Sequence, residues 1–354
     1  MMLPLPEPPR SVCILRLSAI GDACHVVPIV RTLQQAWPTT QLTWLIGASE
    51  ARLMRLLDGV EFITVDKRAS LAGLTALRRE LAGRRFEVLL HMQLALRASL
   101  VASCVPARVK LGFDRARARE LQWLFTNARI APRRSEHVLD SFFGFPEALG
   151  ISERLLRWDL KLPAEAQAYG ARLVPDSQPT LIISPCSRHP LRNWRAARYA
   201  AVAEHAVRHH RMRVILAGGP SESEQRMGVD IEHACQVPLT NQIGKDTLPE
   251  LLGLLARASV LLTPDSGPAH MATMVGTPVM GLYAATNPAR SGPYLSGRWC
   301  VDAFGEAART YRGCEPEELP WTHKIEEPGV MELIRVDQVT GKIDGLLAGR
   351  NGGS

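Results

Sequence analysis

The chain has 354 residues, of which 46% are hydrophobic and 22% are charged, and its formal net charge is +7. This length predicts about two domains with ordinary apolar cores, and no apolar run approaches the roughly 18 residues that a membrane span requires. The positive excess lies in the first 170 residues, where 23 Lys and Arg stand against 16 Asp and Glu. A basic half predicts an acidic partner or serves solubility alone, and with only 6% aromatic residues we expect no binding of nucleic acid.

The cysteine pattern and the first ten residues indicate in which cellular compartment the protein is expected. Seven scattered cysteines without a CxxC pair predict buried thiols, not a disulfide framework or a zinc site. The first ten residues are rich in proline and lack the apolar core of a signal peptide. We therefore expect a cytoplasmic protein.

Strand-like and helix-like segments alternate through the first half of the chain. Strands are predicted at residues 11–17, 41–46, 62–65, 88–92 and 109–112, and helices at 23–37 and 51–57. Such alternation predicts a parallel sheet with crossover helices. Three prolines within residues 160–179 surround a short Ala-rich helix and predict a linker.

The same pattern restarts after the linker. Strands are predicted at residues 180–184, 213–217, 260–263 and 278–283, and helices at 196–210, 248–258 and 269–275. The predicted fold is α/β, with two Rossmann-like doubly wound domains and a cleft between them. The first predicted domain spans residues 1–165 and the second spans residues 175–335. A C-terminal helix and tail are predicted at residues 336–354. Residues 309–330 match no motif, and we expect a loop and a segment crossing back to the first domain.

Two turns in separate halves are suited to binding phosphate. Residues 17–22 (LSAIGD) close the first apolar run, and residues 263–270 (TPDSGPAH) close a much later one. Each turn follows a strand and opens a helix, which directs backbone N–H groups and a positive helix end at a ligand. Ligands of doubly wound sheets bind at the carboxyl ends of the strands, where both turns lie.

The side chains of these turns each allow two interpretations. Asp22 can accept a proton from a hydroxyl group, or it can cap the helix that follows. Asp265 and Ser266 can form an anion cradle or cap a helix, and His270 can act on a ligand or pack inside the fold. Glu222 can accept hydrogen bonds from ribose hydroxyls or simply begin a helix.

Three arginines follow the first strand of the second half, namely Arg188, Arg192 and Arg195. The forked donors of arginine suit phosphate, so these side chains can place positive charge over the cleft. Exposed loop arginines are also common without any ligand.

Four ordered motifs between residues 13 and 294 make a family resemblance specific. They are S-x-x-G-D-x-x-H-x-x-P from Ser18 to Pro28, G-G-P-x-E-x-E from Gly218 to Glu224, D-S-G-P-x-H…G-T-P from Asp265 to Pro278, and T-N-P-x-R-x-G-P-Y from Thr286 to Tyr294. The chain resembles glycosyltransferase family 9, the ADP-heptose:lipopolysaccharide heptosyltransferases. The resemblance implies a GT-B fold and an inverting, metal-independent transfer of heptose from ADP-heptose to the Kdo/heptose inner core of lipopolysaccharide.

The resemblance also implies roles for individual residues. Asp22 would be the general base, and Arg192 would neutralise the leaving diphosphate. The implied donor-binding residues are Ser187, Arg192, Glu222, Asp265, Ser266, Gly267 and His270. The implied acceptor-binding residues are Ser18, His25, Arg97 and Arg119. No metal and no cofactor beyond the donor substrate is implied.

The implied partners are a nucleotide-sugar donor, an anionic glycolipid acceptor and the inner face of the cytoplasmic membrane, contacted peripherally through the basic half. The sequence departs from the family pattern at two places. The family's D-x-Q-G…K reads HMQL…R at residues 91–97, and its F-G-P-T-D-P reads YAATNP at residues 283–288. The alternatives are another nucleotide-sugar glycosyltransferase, a sugar-nucleotide epimerase of the same fold, and a binding protein without catalysis.

Overall fold

The computed structural model describes residues 3–66 and 70–351. The chain divides into two compact units, Met1–Lys161 and Leu162–Ser354. Lys67 and Arg68 of the basic stretch and the last three residues of the predicted tail lie outside the described residues. Within the described part, no helix is long and apolar enough to cross a membrane.

The first unit is an open sheet with crossover helices. Its strands are β1 (Ser11–Leu15), β2 (Gln41–Gly47), β3 (Glu61–Val65), β4 (Phe86–His91), β5 (Ala107–Gly112) and β6 (Ala128–Arg129). Its helices are α1 (Ile20–Ala36), α2 (Ala48–Met54), α3 (Leu71–Glu80), α4 (Leu96–Ser103) and α5 (Val138–Leu149). In the described residues the six strands are parallel and follow the order β3-β2-β1-β4-β5-β6.

This strand order places a switch point between β1 and β4. Ile14 of β1 lies opposite Trp44 on one side and Leu90 on the other, and all three are fully buried. Central parallel strands read as nearly continuous apolar runs because helices cover both faces. The carboxyl ends of β1 and β4 therefore meet where the connections diverge, and ligands of such sheets bind at that point.

The second unit repeats this architecture. Its strands are β7 (Thr180–Ile183), β8 (Arg213–Leu216), β9 (Thr240–Asn241), β10 (Val260–Pro264), β11 (Val279–Tyr283) and β12 (Val301–Asp302). Its helices are α6 (Ala164–Leu173), α7 (Ala196–His210), α8 (Glu222–Ala234), α9 (Leu248–Leu255), α10 (Gly267–Met274), α11 (Pro288–Ser291), α12 (Phe304–Arg312) and α13 (Val336–Asn351). Across the described residues the parallel order is β12-β11-β10-β7-β8-β9, which has the connectivity of the first sheet. Its switch point lies between β7 and β10.

Residues 309–330 differ from expectation. Ile325 is fully buried in the core of the second unit, and its N–H donates to the carbonyl of Ala285 at 2.8 Å. The adjoining pair, Thr286 and Lys324, forms an antiparallel bridge. The prediction that this segment crosses back to the first domain is therefore wrong, because Ile325 is drawn into the core beside β11.

The predicted linker contains a helix that is closely packed. Helix α6 lies against α9, and the two helices approach at Gly170 and Gly253. A Cβ atom added to Gly253 would lie 2.1 Å from the carbonyl oxygen of Ala166. Backbone atoms cannot yield as a flexible side chain can, so this contact requires glycine.

We expect Gly253→Ala to lower the free energy of unfolding by about 1–3 kcal/mol, since it overpacks this contact. Gly341→Ala in α13 is the matched control, because a Cβ atom there meets nothing within 4 Å. This control should be neutral or stabilising by up to about 1 kcal/mol through higher helix propensity. Urea denaturation of the two variants measures the difference, and equal stability would contradict the close contact.

Candidate functional site

In the first unit, the turn after β1 forms a charged site at the switch point. Arg16 donates through Nη1 to the carbonyl of Met92 at 2.5 Å, and its Nη2 forms an ion pair with Oδ2 of Asp22. Asp22 lies in the first turn of α1, where the same Oδ2 is 3.4 Å from the N–H of Ala19. The N-cap residue is Ala19, and Asp22 caps the helix from the third helical position by accepting from the N–H of Ala19. Its carboxylate also lies beside the ends of β1 and β4, where it pairs with Arg16.

The side chains of Gln93 and Gln122 hold the turn after β1 and the end of β4 through hydrogen bonds. Gln93 accepts from the N–H of Leu17 at 2.7 Å and donates to Oγ of Ser18 at 3.3 Å. Gln122 donates to the carbonyls of His91 and Gln93 at 2.9 and 3.1 Å. Both glutamines are buried. Buried amides with satisfied donors and acceptors hold the surrounding backbone in one position.

His91 occupies the position where the family pattern has an acid. It is fully buried, and its Nε2 lies 3.1 Å from Oγ of Ser99. Burial, together with the charges of Lys110 and Arg16, lowers the pKa of His91 to about 3. The imidazole is therefore neutral at physiological pH. Where the family pattern has an acid, this chain has a buried, uncharged side chain.

The other predicted acceptor residues divide into two groups. His25 is buried in α1, and its ring lies edge-on to that of His137 at 5.3 Å between centroids. Arg97 and Arg119 are both exposed. The N–H of Leu96 donates to Glu120 at 2.6 Å, which ties the start of α4 to the loop that carries Arg119. The fold thus brings the segments of the two arginines together but buries His25.

In the second unit, the ends of β7 and β10 form a second polar site at the switch point. Oγ of Ser187 donates to the carbonyl of Asp265 at 2.8 Å. Oγ of Ser266 lies 2.7 Å from Oγ1 of Thr263 in the preceding strand. Ser266 is the N-cap residue of α10, and Gly267 is its first helical residue. The start of α10 therefore presents backbone N–H groups and a partial positive charge at this edge.

Arg192 is held between two carboxylates of this unit. Its Nε and Nη2 donate to Oε1 of Glu326 at 2.9 and 2.6 Å, and its Nη1 donates to Oδ2 of Asp265 at 3.2 Å. A guanidinium group carries five N–H donors, and these contacts use three of them. Among the residues that the structure describes, one N–H on each terminal nitrogen has no hydrogen-bond partner and is available to a ligand.

Lys324 adds a further cation to this cluster. Burial, and then the charge of Arg192, lowers the pKa of Lys324 below its ordinary value. Burial opposes the ionisation of Glu326, but the hydrogen bonds and charge of Arg192, with His189 and Lys324, outweigh it and lower the pKa of Glu326. Glu326 and Lys324 come from the segment without a recognised motif, so no local signal identified them.

The remaining predicted donor residues have different environments. Glu222 is exposed as the first residue of α8, a position that fits both interpretations of this acid, so its contact with ribose stays a prediction. Glu224 instead accepts from the N–H of Gly219 at 3.0 Å and from Ser221 at 2.7 Å. His270 is buried within α10. The second acid of the G-G-P-x-E-x-E motif is therefore the one that binds the glycine turn.

Arg195 has a different partner from Arg192. Its guanidinium forms an exposed ion pair with Glu332, whereas Arg192 contacts Asp265. The idea that Arg188 and Arg195 also add positive charge at this edge stays a prediction.

Asp246 is a titratable group at this edge that sequence reasoning missed. It follows β9 in a loop where the N–H of Gly244 donates to the carbonyl of Gly218 at 2.9 Å. Within the described part of the chain, its Oδ2 is buried without a hydrogen-bond partner. Burial, with the charges of Glu250 and Glu224, raises the pKa of Asp246 to about 7.

This raised pKa gives a testable pH dependence of stability. The native state holds a proton on Asp246 up to about pH 7, whereas the unfolded chain releases it near the ordinary value of 3.8. The native state therefore binds more protons between these values, and stability falls as pH rises through the window. Between about pH 4 and pH 8, the free energy of unfolding of the wild type should fall by roughly 2–4 kcal/mol more than that of Asp246→Asn, which has no carboxyl group to titrate. Urea denaturation of both proteins at the two pH values tests this, and parallel pH profiles would contradict it.

The two sheets of matching strand order, each with a charged turn at its switch point, define a pair of Rossmann-like domains of the GT-B class. The family model for glycosyltransferase family 9 (heptosyltransferase) matches residues 74–316. The chain is also 38% identical over 340 residues to the lipopolysaccharide core heptosyltransferase OpsX of Haemophilus influenzae, which covers 96% of this chain and 98% of that relative. The chain therefore belongs to glycosyltransferase family 9 and is a glycosyltransferase.

Solved structures support the same fold. A family 9 glycosyltransferase of Veillonella parvula superimposes with a TM-score of 0.78 at 21% identity, covering 96% of this chain and 97% of that one. The heptosyltransferase WaaC of E. coli, solved with ADP, gives a TM-score of 0.72 at 20% identity, with 95% and 99% covered. The predicted family and the predicted α/β GT-B fold are confirmed.

Proposed function

We propose that this chain transfers a heptose from ADP-heptose to the Kdo/heptose inner core of lipopolysaccharide, with inversion and without a catalytic metal. Family membership and the 38% identity to a lipopolysaccharide core heptosyltransferase support this substrate class. The observation that carries the chemistry is a pair of charged turns, Arg16–Asp22 in one unit and Arg192–Asp265 in the other. The first suits proton removal, and the second suits a leaving diphosphate.

Asp22 is proposed as the general base. Its described hydrogen bonds from Arg16 and Ala19 are both to Oδ2, which leaves Oδ1 to take the proton of the acceptor hydroxyl. The acceptor oxygen then bonds to the anomeric carbon while the bond from that carbon to the diphosphate oxygen breaks. The electron pair leaves on ADP, and a single displacement of this kind inverts the anomeric centre.

Arg192 is proposed to stabilise the negative charge that develops on the diphosphate. Glu326 and Asp265 hold the guanidinium in place before the donor arrives, so little reorganisation is needed during the reaction. Lys324 adds positive charge nearby, and the start of α10 at Ser266 and Gly267 supplies N–H donors. Charge on the diphosphate is thus met by protein groups, which is why no metal is proposed for this step.

The direct test is a transfer assay with ADP-heptose and a Kdo-containing inner-core acceptor, with the product examined by mass spectrometry and NMR. We expect one heptose added, an inverted anomeric centre, and unchanged turnover after treatment with EDTA. An isomerised donor formed without acceptor would favour the epimerase alternative. Tighter binding of UDP than of ADP in calorimetry would remove ADP-heptose as the donor.

We also propose that the first unit docks peripherally on the anionic inner face of the cytoplasmic membrane. Exposed leucines lie in the same segments as Arg97 of α4 and Arg119 of the loop that contacts the start of α4. Leu96 is 41%, Leu121 51% and Leu124 59% exposed. Arg115 in the same loop stacks over the ring of Trp123 at 3.8 Å. Basic groups near an anionic surface contribute about 1 kcal/mol each, and apolar side chains add shallow contact.

Sedimentation with vesicles tests the docking. We expect binding to vesicles that contain phosphatidylglycerol, weaker binding at high salt, and weaker binding by a Leu121→Ser, Leu124→Ser double variant. Equal binding to neutral and anionic vesicles would contradict an electrostatic mode.

A further inference from the structure

Two imidazoles and a carboxylate converge on the second unit, away from the residues proposed for transfer. Nε2 of His205 lies 2.7 Å from Oδ1 of Asp344, and Nε2 of His210 lies 2.5 Å from the same oxygen. The three candidate ligand atoms all lie within 4.8 Å of one another. His205 and His210 belong to α7, and Asp344 belongs to α13. The cluster therefore links α13 to α7.

We propose that His205, His210 and Asp344 bind a divalent transition metal of the zinc class. Imidazole nitrogens with one carboxylate form a donor set that suits Zn²⁺, Co²⁺ or Ni²⁺, whereas Mg²⁺ and Ca²⁺ prefer oxygen ligands alone. The side chains of the two histidines are 22% and 23% exposed, so a cation can enter and a water molecule can complete the coordination.

Metal binding requires the three side chains to rearrange. Zinc–ligand bonds of roughly 2.0–2.2 Å in a tetrahedral site hold the ligand atoms about 3.3 Å apart. The two Nε2 atoms must therefore move away from Oδ1 of Asp344, which they now approach to 2.7 and 2.5 Å, and they must come to this spacing from a separation of up to 4.8 Å. Both histidine side chains are partly exposed, which leaves them room to rotate.

The surrounding charges favour a cation. The site lies at the C-terminal end of α7, where the helix carries partial negative charge. Two basic side chains close to the cluster in sequence have other partners: Arg208 pairs with Glu204 at 2.9 Å, and Lys342 donates to the carbonyl of Arg298 at 2.6 Å. The ring of His209 stacks against that of His205 at 4.6 Å between centroids and supports its orientation.

The bound metal would fasten α13 to the second unit. Ile343, Leu346 and Leu347 of α13 are already buried in its core, so the cluster sits beside an apolar contact. Helix α7 ends just before β8 begins, which places the cluster at the amino ends of the strands. The residues proposed for transfer lie at the carboxyl ends, so this metal has a structural role and takes no part in the reaction.

Zinc binding by the metal-stripped full-length chain tests the inference, using equilibrium dialysis and competition with a chelating dye. We expect one zinc ion per chain at this site and an affinity lowered at least about tenfold in His205→Ala, His210→Ala and Asp344→Asn. His233→Ala is the matched control, since His233 is an exposed histidine in the last turn of α8. It should bind zinc as the wild type does.

Two further readouts separate coordination from a simple ion-pair contact. Co²⁺ should give visible ligand-field absorption with the wild type that Asp344→Asn lacks, and Zn²⁺ should raise the Tm of the wild type by several degrees but not that of Asp344→Asn. Circular dichroism establishes that the variants are folded. Equal zinc binding by the wild type and Asp344→Asn, or no binding by the wild type above that of the variants, would overturn the proposal.

Discussion

Replacing Asp22 by Asn is expected to lower kcat for heptosyl transfer by about 10²–10⁴-fold, the usual contribution of a general base. The Kd for ADP should be unchanged, because the donor site is assigned to the second unit. Asn can still accept the hydrogen bond from Arg16, so the turn after β1 should keep its conformation. Transfer measured at saturating acceptor, together with calorimetry of ADP binding, separates loss of the base from loss of binding.

Arg16→Met is the informative companion to this variant. Arg16 positions Asp22 through the ion pair and holds Met92 through its second nitrogen, but it is not proposed to touch the substrate. We expect a smaller loss of kcat than in Asp22→Asn, and a change in the pH profile that Asp22→Asn does not share. Turnover of Asp22→Asn within about tenfold of the wild type would remove Asp22 as the base.

Replacing Arg192 by Ala is expected to lower kcat by about 10²–10³-fold, comparable to the loss of one preorganised donor to a developing negative charge. The variant also leaves the carboxylates of Glu326 and Asp265 without their shared counter-ion, and these would repel a diphosphate. The affinity for ADP should therefore fall as well. Steady-state kinetics and ADP calorimetry measure the two effects.

Two variants serve as controls for Arg192. Arg192→Lys keeps the charge, so we expect it to retain more activity than the Ala variant, although an ammonium group cannot hold both carboxylates as the planar guanidinium does. Arg195→Ala removes a neighbouring arginine that pairs with Glu332 in solvent, and it should act like the wild type. Similar losses in Arg192→Ala and Arg195→Ala would indicate a general effect of surface charge.

The two pairs of predictions address different units of the chain. Asp22 and Arg16 belong to the first unit, and Arg192 with its two carboxylates belongs to the second. A variant in one unit that changed only its own half of the reaction, acceptor deprotonation or donor binding, would support this division. Loss of ADP affinity in Asp22→Asn would argue against it.

The sequence alone determined the class of fold and the position of both turns. Apolar runs such as residues 180–184 and 260–263 predicted strands that are observed at β7 and β10, because buried parallel strands carry their signal locally. The turn residues Gly21–Asp22 and Asp265–Gly267 were identified for the same reason, since strand-to-helix turns are encoded within a few positions. Short edge strands such as β9 and β12 were not predicted, because two residues carry no periodicity.

Only the tertiary structure decided which distant side chains meet. Glu326 reaches Arg192 across 134 positions, Asp344 reaches His210 across the same separation, and Asp246 is buried near Glu224 and Glu250. These contacts depend on strand order and helix packing, which no local pattern contains. The sequence therefore determined where chemistry could occur, while the fold determined its charge and partners, because electrostatics and burial act through space and not along the chain.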